Sequence, residues 1–157
     1  MQPNYATLRH QSLVRTVAPE PLAEARDLLH RAARLPYEAS RCRGWGPRFL
    51  AYAEQARRAV VDHVLGAERS DSATERMRRT QPRLTSRIQR QAREHQSLLV
   101  RIHGLVVEAG LLSMPDVWAV VRLSEEALLI ERDLGRHQDR LLDLVHEVTQ
   151  VELGGEG

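Results

Sequence analysis

Apolar residues recur at alternating steps of three and four along most of this 157-residue chain, and no segment alternates convincingly with period two. The first spacing lines one face of an α-helix and the second would mark a strand, so an all-α chain without a sheet is expected. Leu22, Ala25, Leu29 and Ala32 define a helix over 20–35 that Pro36 ends. Phe49, Ala53, Ala56, Val60, His63 and Ala67 define a second over 48–69, broken by Ser70, Asp71 and Ser72. A third, over 81–109, opens at Thr80 and Pro82 and carries Leu84, Ile88, Gln91, His95, Leu98, Ile102, Leu105 and Ala109, with Gly110 placed to end it. Ser113 and Asp116 resemble a capping pair opening the fourth, which runs to about 151 through Ala127, Ile130, Leu134, His137, Leu141, Leu144, Val148 and Val151. A short helix is expected over 5–17, a loop over 37–47 and a short turn over 73–79. Short connections between four amphipathic helices point to an antiparallel up-down bundle over 20–152, with an N-terminal segment, 1–19, and a flexible tail, 153–157.

Three of the stripe positions are histidines: His63, His95 and His137, each on a different expected helix. A water-facing histidine needs no explanation. An inward-facing imidazole must be hydrogen-bonded, must bind something, or must cost stability. One such residue is ordinarily a satisfied core histidine. Three on three helices of a bundle are also the arrangement by which facing helices bring metal ligands to one point, and imidazole suits iron, zinc and copper.

Composition narrows the classes. Aromatic residues make up only 4%, so aliphatic side chains must fill the core. All 23 basic residues are arginine, each a permanently charged planar fork. Residues 1–115 hold 19 arginines against 11 acids, a net of +8, and residues 116–157 hold 4 against 10, a net of −6. The two regions can complement each other within the fold, between subunits of a homo-oligomer, or toward a charged partner. Between 75 and 93 the net charge is +6, and Arg83, Arg87 and Arg90 share one face. No aromatic residue is interleaved there to stack bases, so a solvated face paired with the acidic last helix is expected, not a nucleic-acid site. Cys42 is the lone cysteine and is read as a loop residue. No signal-peptide pattern and no run of about 18 apolar residues is present, so a cytoplasmic protein without membrane insertion is expected.

With these residues in place the chain resembles the hemerythrin-like, HHE cation-binding family over roughly residues 20–157. His63 with Glu68 resembles the family's second-helix histidine–glutamate region. Gln81-Pro82-Arg83-Leu84 and Arg93-Glu94-His95-Gln96-Ser97-Leu98-Leu99 resemble its third helix, and His137-Gln138-Asp139-Arg140 with the Glu152-Leu153-Gly154-Gly155 ending resembles its fourth. His30 is the better-spaced first-helix candidate, and His10 the weaker. The resemblance implies a four-helix bundle with metal ligands drawn from His30, His63, Glu68, His95 and His137, and iron chemistry with oxygen, nitric oxide or peroxide.

The departures matter more than the matches. A carboxylate-bridged diiron centre needs acids one turn after the histidines, but Ala67, Leu141 and Leu142 stand there. Glu68 falls one residue late, about 100° around the helix. The expectation is therefore a binding or sensory bundle, not an enzyme, acting through a protein partner or small ligand and holding either no cofactor or a single metal ion. A working iron or other metal protein is the alternative reading, and an arginine-rich nucleic-acid or assembly factor the second. Gly66 and Gly135, beside the histidines, would ordinarily mark close helix packing, and more rarely room for a ligand.

Overall fold

A computed structural model of the chain describes residues 20–35, 44–114 and 116–154. Among them the chain is helical, with no strand. The elements are α1 (Glu20–Ala33), α2 (Trp45–Glu68), the short α3 (Ala73–Thr80), a 3-10 turn (Pro82–Leu84), α4 (Thr85–Leu111) and α5 (Val117–Gly154). The helix expected over 5–17, together with His10 and Cys42, lies outside the described residues.

Four long helices pack as a ring: α1 lies against α2 and α5, and α4 closes the other side against the same two. The apolar stripes read from the sequence are what they bury. Leu22, Ala25, Leu29 and Ala32 of α1 meet Phe49, Ala53, Ala56 and Val60 of α2, Leu98, Ile102 and Leu105 of α4, and Leu123, Ala127, Ile130 and Leu134 of α5 in one cluster. At roughly 25 cal/mol for each Å² of apolar surface removed from water, such a stripe and not helix propensity fixes each helix in place.

Several boundaries differ from expectation: α4 begins at Thr85 and not at 81, and α5 runs to Gly154, past the expected 151 and into the tail expected from 153. The expected loop over 37–47 gives way at Trp45, where α2 already begins. Trp45 is fully buried and stacks on Phe49 one turn later, ring centroids 5.0 Å apart. That burial favours three more helical residues, and Pro47 suits a first turn because its missing N–H has no partner to lose there. The expected turn over 73–79 is an eight-residue helix. Ser72 caps it by accepting from the Glu75 amide at 3.1 Å, while its own hydroxyl donates to the Ala67 carbonyl at 2.9 Å. α4 runs through Gly110 to Leu111. The opening of α5 lies one turn later than the Ser113–Asp116 pair suggested: Asp116 itself is the cap, its Oδ1 accepting from the Ala119 amide at 2.8 Å.

Below the main cluster the core is interrupted. Met77, Leu84, Ile88, Leu144 and Val148 form a second apolar cluster, and Ala73, Leu141 and Val145 a third. Along α4 the order is Ile88, Gln91, His95, Leu98; along α5 it is Leu134, His137, Leu141. A polar layer thus separates the large cluster from the two small ones.

Candidate metal centre

The polar layer brings His63 from α2, His95 from α4 and His137 from α5 together. Each occupies its helix's inward stripe, one position among apolar neighbours, so the packing that buries Val60, Leu98 and Leu134 also aims the imidazoles at one another. His95 and His137 are buried, and His63 is half-buried. His137 Nε2 lies 3.3 Å from His63 Nε2 and 3.1 Å from His95 Nε2. The rings stand edge to face, with centroids 4.8 to 5.5 Å apart. All three ligand nitrogens lie within 4.8 Å of one another.

His137 has a third partner. Its Nδ1 sits 2.9 Å from Glu94 Oε2, and Glu94 is further held by Arg140 Nη2 at 3.0 Å and Arg90 Nε at 3.2 Å. Burial alone would raise the Glu94 pKa, but the hydrogen bonds from His137 and Arg140 hold it below the usual carboxylate value. An ionised carboxylate only accepts, so His137 Nδ1 carries the proton and donates it. The neutral ring then presents a bare Nε2 lone pair to the other two histidines.

The imidazoles are kept neutral. Burial, reinforced by the neighbouring His95 and His137, lowers His63 to about 3. Burial lowers His95 to about 4, with His137 adding and Glu94 opposing. His137 is also lowered, mainly by burial, against the pull of Glu94. Neutral imidazole is the form that ligates a metal.

Three such residues on one point can hold a metal ion. With bond lengths of about 2.0–2.1 Å, tetrahedral geometry puts ligand nitrogens roughly 3.3–3.4 Å apart, close to the spacings of His137 from both neighbours. Glu94 behind His137 supplies the carboxylate–histidine arrangement that fixes ring orientation and raises ligand basicity. Among the described residues no carboxylate joins the three nitrogens, Leu141 is buried as an apolar residue, and Glu94 engages only the far nitrogen of His137.

The remaining candidates are placed elsewhere. His30 is exposed in the last turn of α1 and does not join the cluster. Glu68 is exposed at the end of α2 and lines a cavity of about 550 Å³ without reaching the histidine group. His63, His95, Gln91 and Gly66 line that same cavity. Sequence reasoning passed over Glu94 and Arg140. Their signal was weak, since Glu94 adjoins His95 and so points to another helix face, the one turned toward α5. Gln91 was visible as a polar residue inside an apolar stripe, yet its role depends on the cavity.

The arginines behave as solvated pairing groups. Arg83 lies 3.9 Å from Glu147 on α5 and Arg87 also pairs with Glu147, while Arg90 pairs with Glu94 on its own helix. No helix among the described residues is long and apolar enough to cross a membrane. Comparison with protein-family models, with curated proteins and with solved structures finds no match.

Proposed function

We propose that this protein is a divergent hemerythrin-like bundle, antiparallel and up-down, that binds one transition-metal ion and acts as a binding or sensory module for a small ligand. The observation that carries the reading is the convergence of three neutral Nε2 atoms from three helices, with Glu94 behind one and a cavity in front of two. His63, His95 and His137 are the protein ligands, and Glu94 is the positioning residue. An ion held by His63, His95 and His137 would supply Lewis-acid chemistry toward the cavity. The side chains do the rest: His137 is locked in one tautomer, the aliphatic clusters shut water out from above and below, and His63 faces the opening.

Nothing in the ligand set supplies bridging charge for a second ion. Two adjacent divalent ions repel strongly, and neutral imidazoles do not offset that. The test is metal stoichiometry on the purified full chain, titrated with Zn(II) and Co(II) and assayed for iron from its native host. One ion per chain, lost in His95→Ala, is the expected result. Two irons with an oxo-bridge absorption band, or no ion at any concentration up to millimolar, would overturn the reading. Restoring acids by Ala67→Glu with Leu141→Glu should raise iron uptake if the pocket descends from a two-metal site.

A further inference from the structure

The cavity beside the histidines contains a second polar anchor. Gln91 lies one helical turn before His95, on the same face of α4, and is only 3% exposed. Its Oε1 is buried and has no hydrogen-bond partner. An unpaired buried carbonyl is costly, and an aliphatic residue at this stripe position would avoid that cost. Side chains one turn apart stand about 5–6 Å from each other at Cβ, so a small molecule touching the metal position can also touch Gln91.

Charged side chains surround the opening. Asp62, Glu68, Asp71 and Glu75 line the cavity together with Arg69 and Arg78. Arg69 is held by Asp71 at 3.0 Å and Arg78 by Glu75 at 2.7 Å. Arg79 also lies 3.7 Å from Glu75, and Arg76 donates to the Asp71 carbonyl, so the acids at the opening are balanced by arginines.

We infer that the cavity takes a small ligand that coordinates through a lone pair and donates its own N–H or O–H to Gln91 Oε1, as an azole would. This rests on the single-metal reading above. It makes Gln91 a specificity-determining residue, because a ligand without the donor leaves the carbonyl unpaired.

The probes are imidazole and 1-methylimidazole, which coordinate alike and have similar basicity, but the second lacks the N–H. Each is titrated into Co(II)-loaded full-length protein and followed by the visible Co(II) bands. Imidazole should bind about tenfold tighter than 1-methylimidazole, the size expected for one buried hydrogen bond. In Gln91→Leu the ratio should fall to within about twofold, while Co(II) affinity stays within about threefold. Azide should bind more weakly than imidazole. Gln91→Leu should raise the melting temperature of the metal-free protein, and Gln91→Met serves if that variant does not fold. Equal binding of the two azoles by wild type, or a ratio that survives in both variants, overturns the inference while leaving the metal site intact. A tenfold loss of Co(II) in Gln91→Leu also overturns it, by making Gln91 a ligand of the ion. Failure of wild type to bind Co(II) sinks the metal reading itself and this inference with it.

Discussion

His137 presents Nε2 to its neighbours because Glu94 occupies Nδ1, so the geometry of the centre is set by a residue that lies behind the ring. Removing it by Glu94→Ala frees the ring to rotate and to adopt the other tautomer. Carboxylates in this position are typically worth 10- to 100-fold in metal affinity, so Zn(II) or Co(II) binding should weaken by about that factor. A competition titration against a chromophoric chelator reads it, and unchanged affinity would remove Glu94 from the site. Arg140 should matter less, since Arg90 also contacts the carboxylate. The three histidines were legible from periodicity alone because an imidazole in an aliphatic stripe is conspicuous. Glu94 was not, because a charged residue next to the stripe is what any solvated helix face contains. Only the packing of α4 on α5 turns it inward.

At the level of elements, the helical stripes carried most of the information, and the ends carried least. α3 was legible in principle: Ser72 followed three residues later by Glu75 is an N-terminal signature, and the Ser72 hydroxyl does cap the helix. Its neighbours Ser70 and Asp71 obscured it by reading as a simple break. Trp45 continues the α2 stripe four residues before Phe49, but Gly44, Gly46 and Pro47 around it read as a loop. The two glycines beside the histidines separate cleanly. A Cβ at Gly135 would come within 3.2 Å of the Arg26 guanidinium, whereas one at Gly66 would meet nothing within 4 Å. Gly66→Ala should therefore stabilise α2 by about 0.5–1 kcal/mol, the ordinary gain of alanine over glycine in a helix. Gly135→Ala should gain less, because Arg26 must shift away from its contacts with Glu131 and Gln138. Urea midpoints at constant m-value decide it; equal gains at both sites would contradict the packing described at Gly135.

For the whole molecule, the histidine layer makes stability depend on pH. The folded protein holds His63 near 3 and His95 near 4, while the unfolded chain titrates near 6.5. The unfolded state therefore takes up protons first, and their contribution is complete above about pH 6.5 and is lost as pH falls through 6.5 toward 4 and then 3. Each buried imidazole costs about 1.4 kcal/mol per pH unit in that window. The unfolding free energy of metal-free protein should thus fall steeply between pH 7 and 5, where Glu94 and Asp133, both held low, are still ionised. Replacing His63 by Asn should flatten the slope by about one proton. A flat wild-type profile over this range would mean that the rings are not buried neutral.

The same layer divides the aliphatic core into a large cluster and two small ones, with α4 and α5 running through both sides. Cohesion across the seam then rests on imidazole contacts that a single ion can tighten. Without metal, amide protons of α3 and of the parts of α4 and α5 beyond the seam should exchange faster than those around Ile102 and Ile130, as a separately opening unit. Saturating Zn(II) should slow that unit selectively, by up to RT ln(1 + [L]/Kd), and bring the two exchange classes together. Occupancy of the site would then be read out some distance away, as the difference between a bundle that opens at one end and one that opens only as a whole.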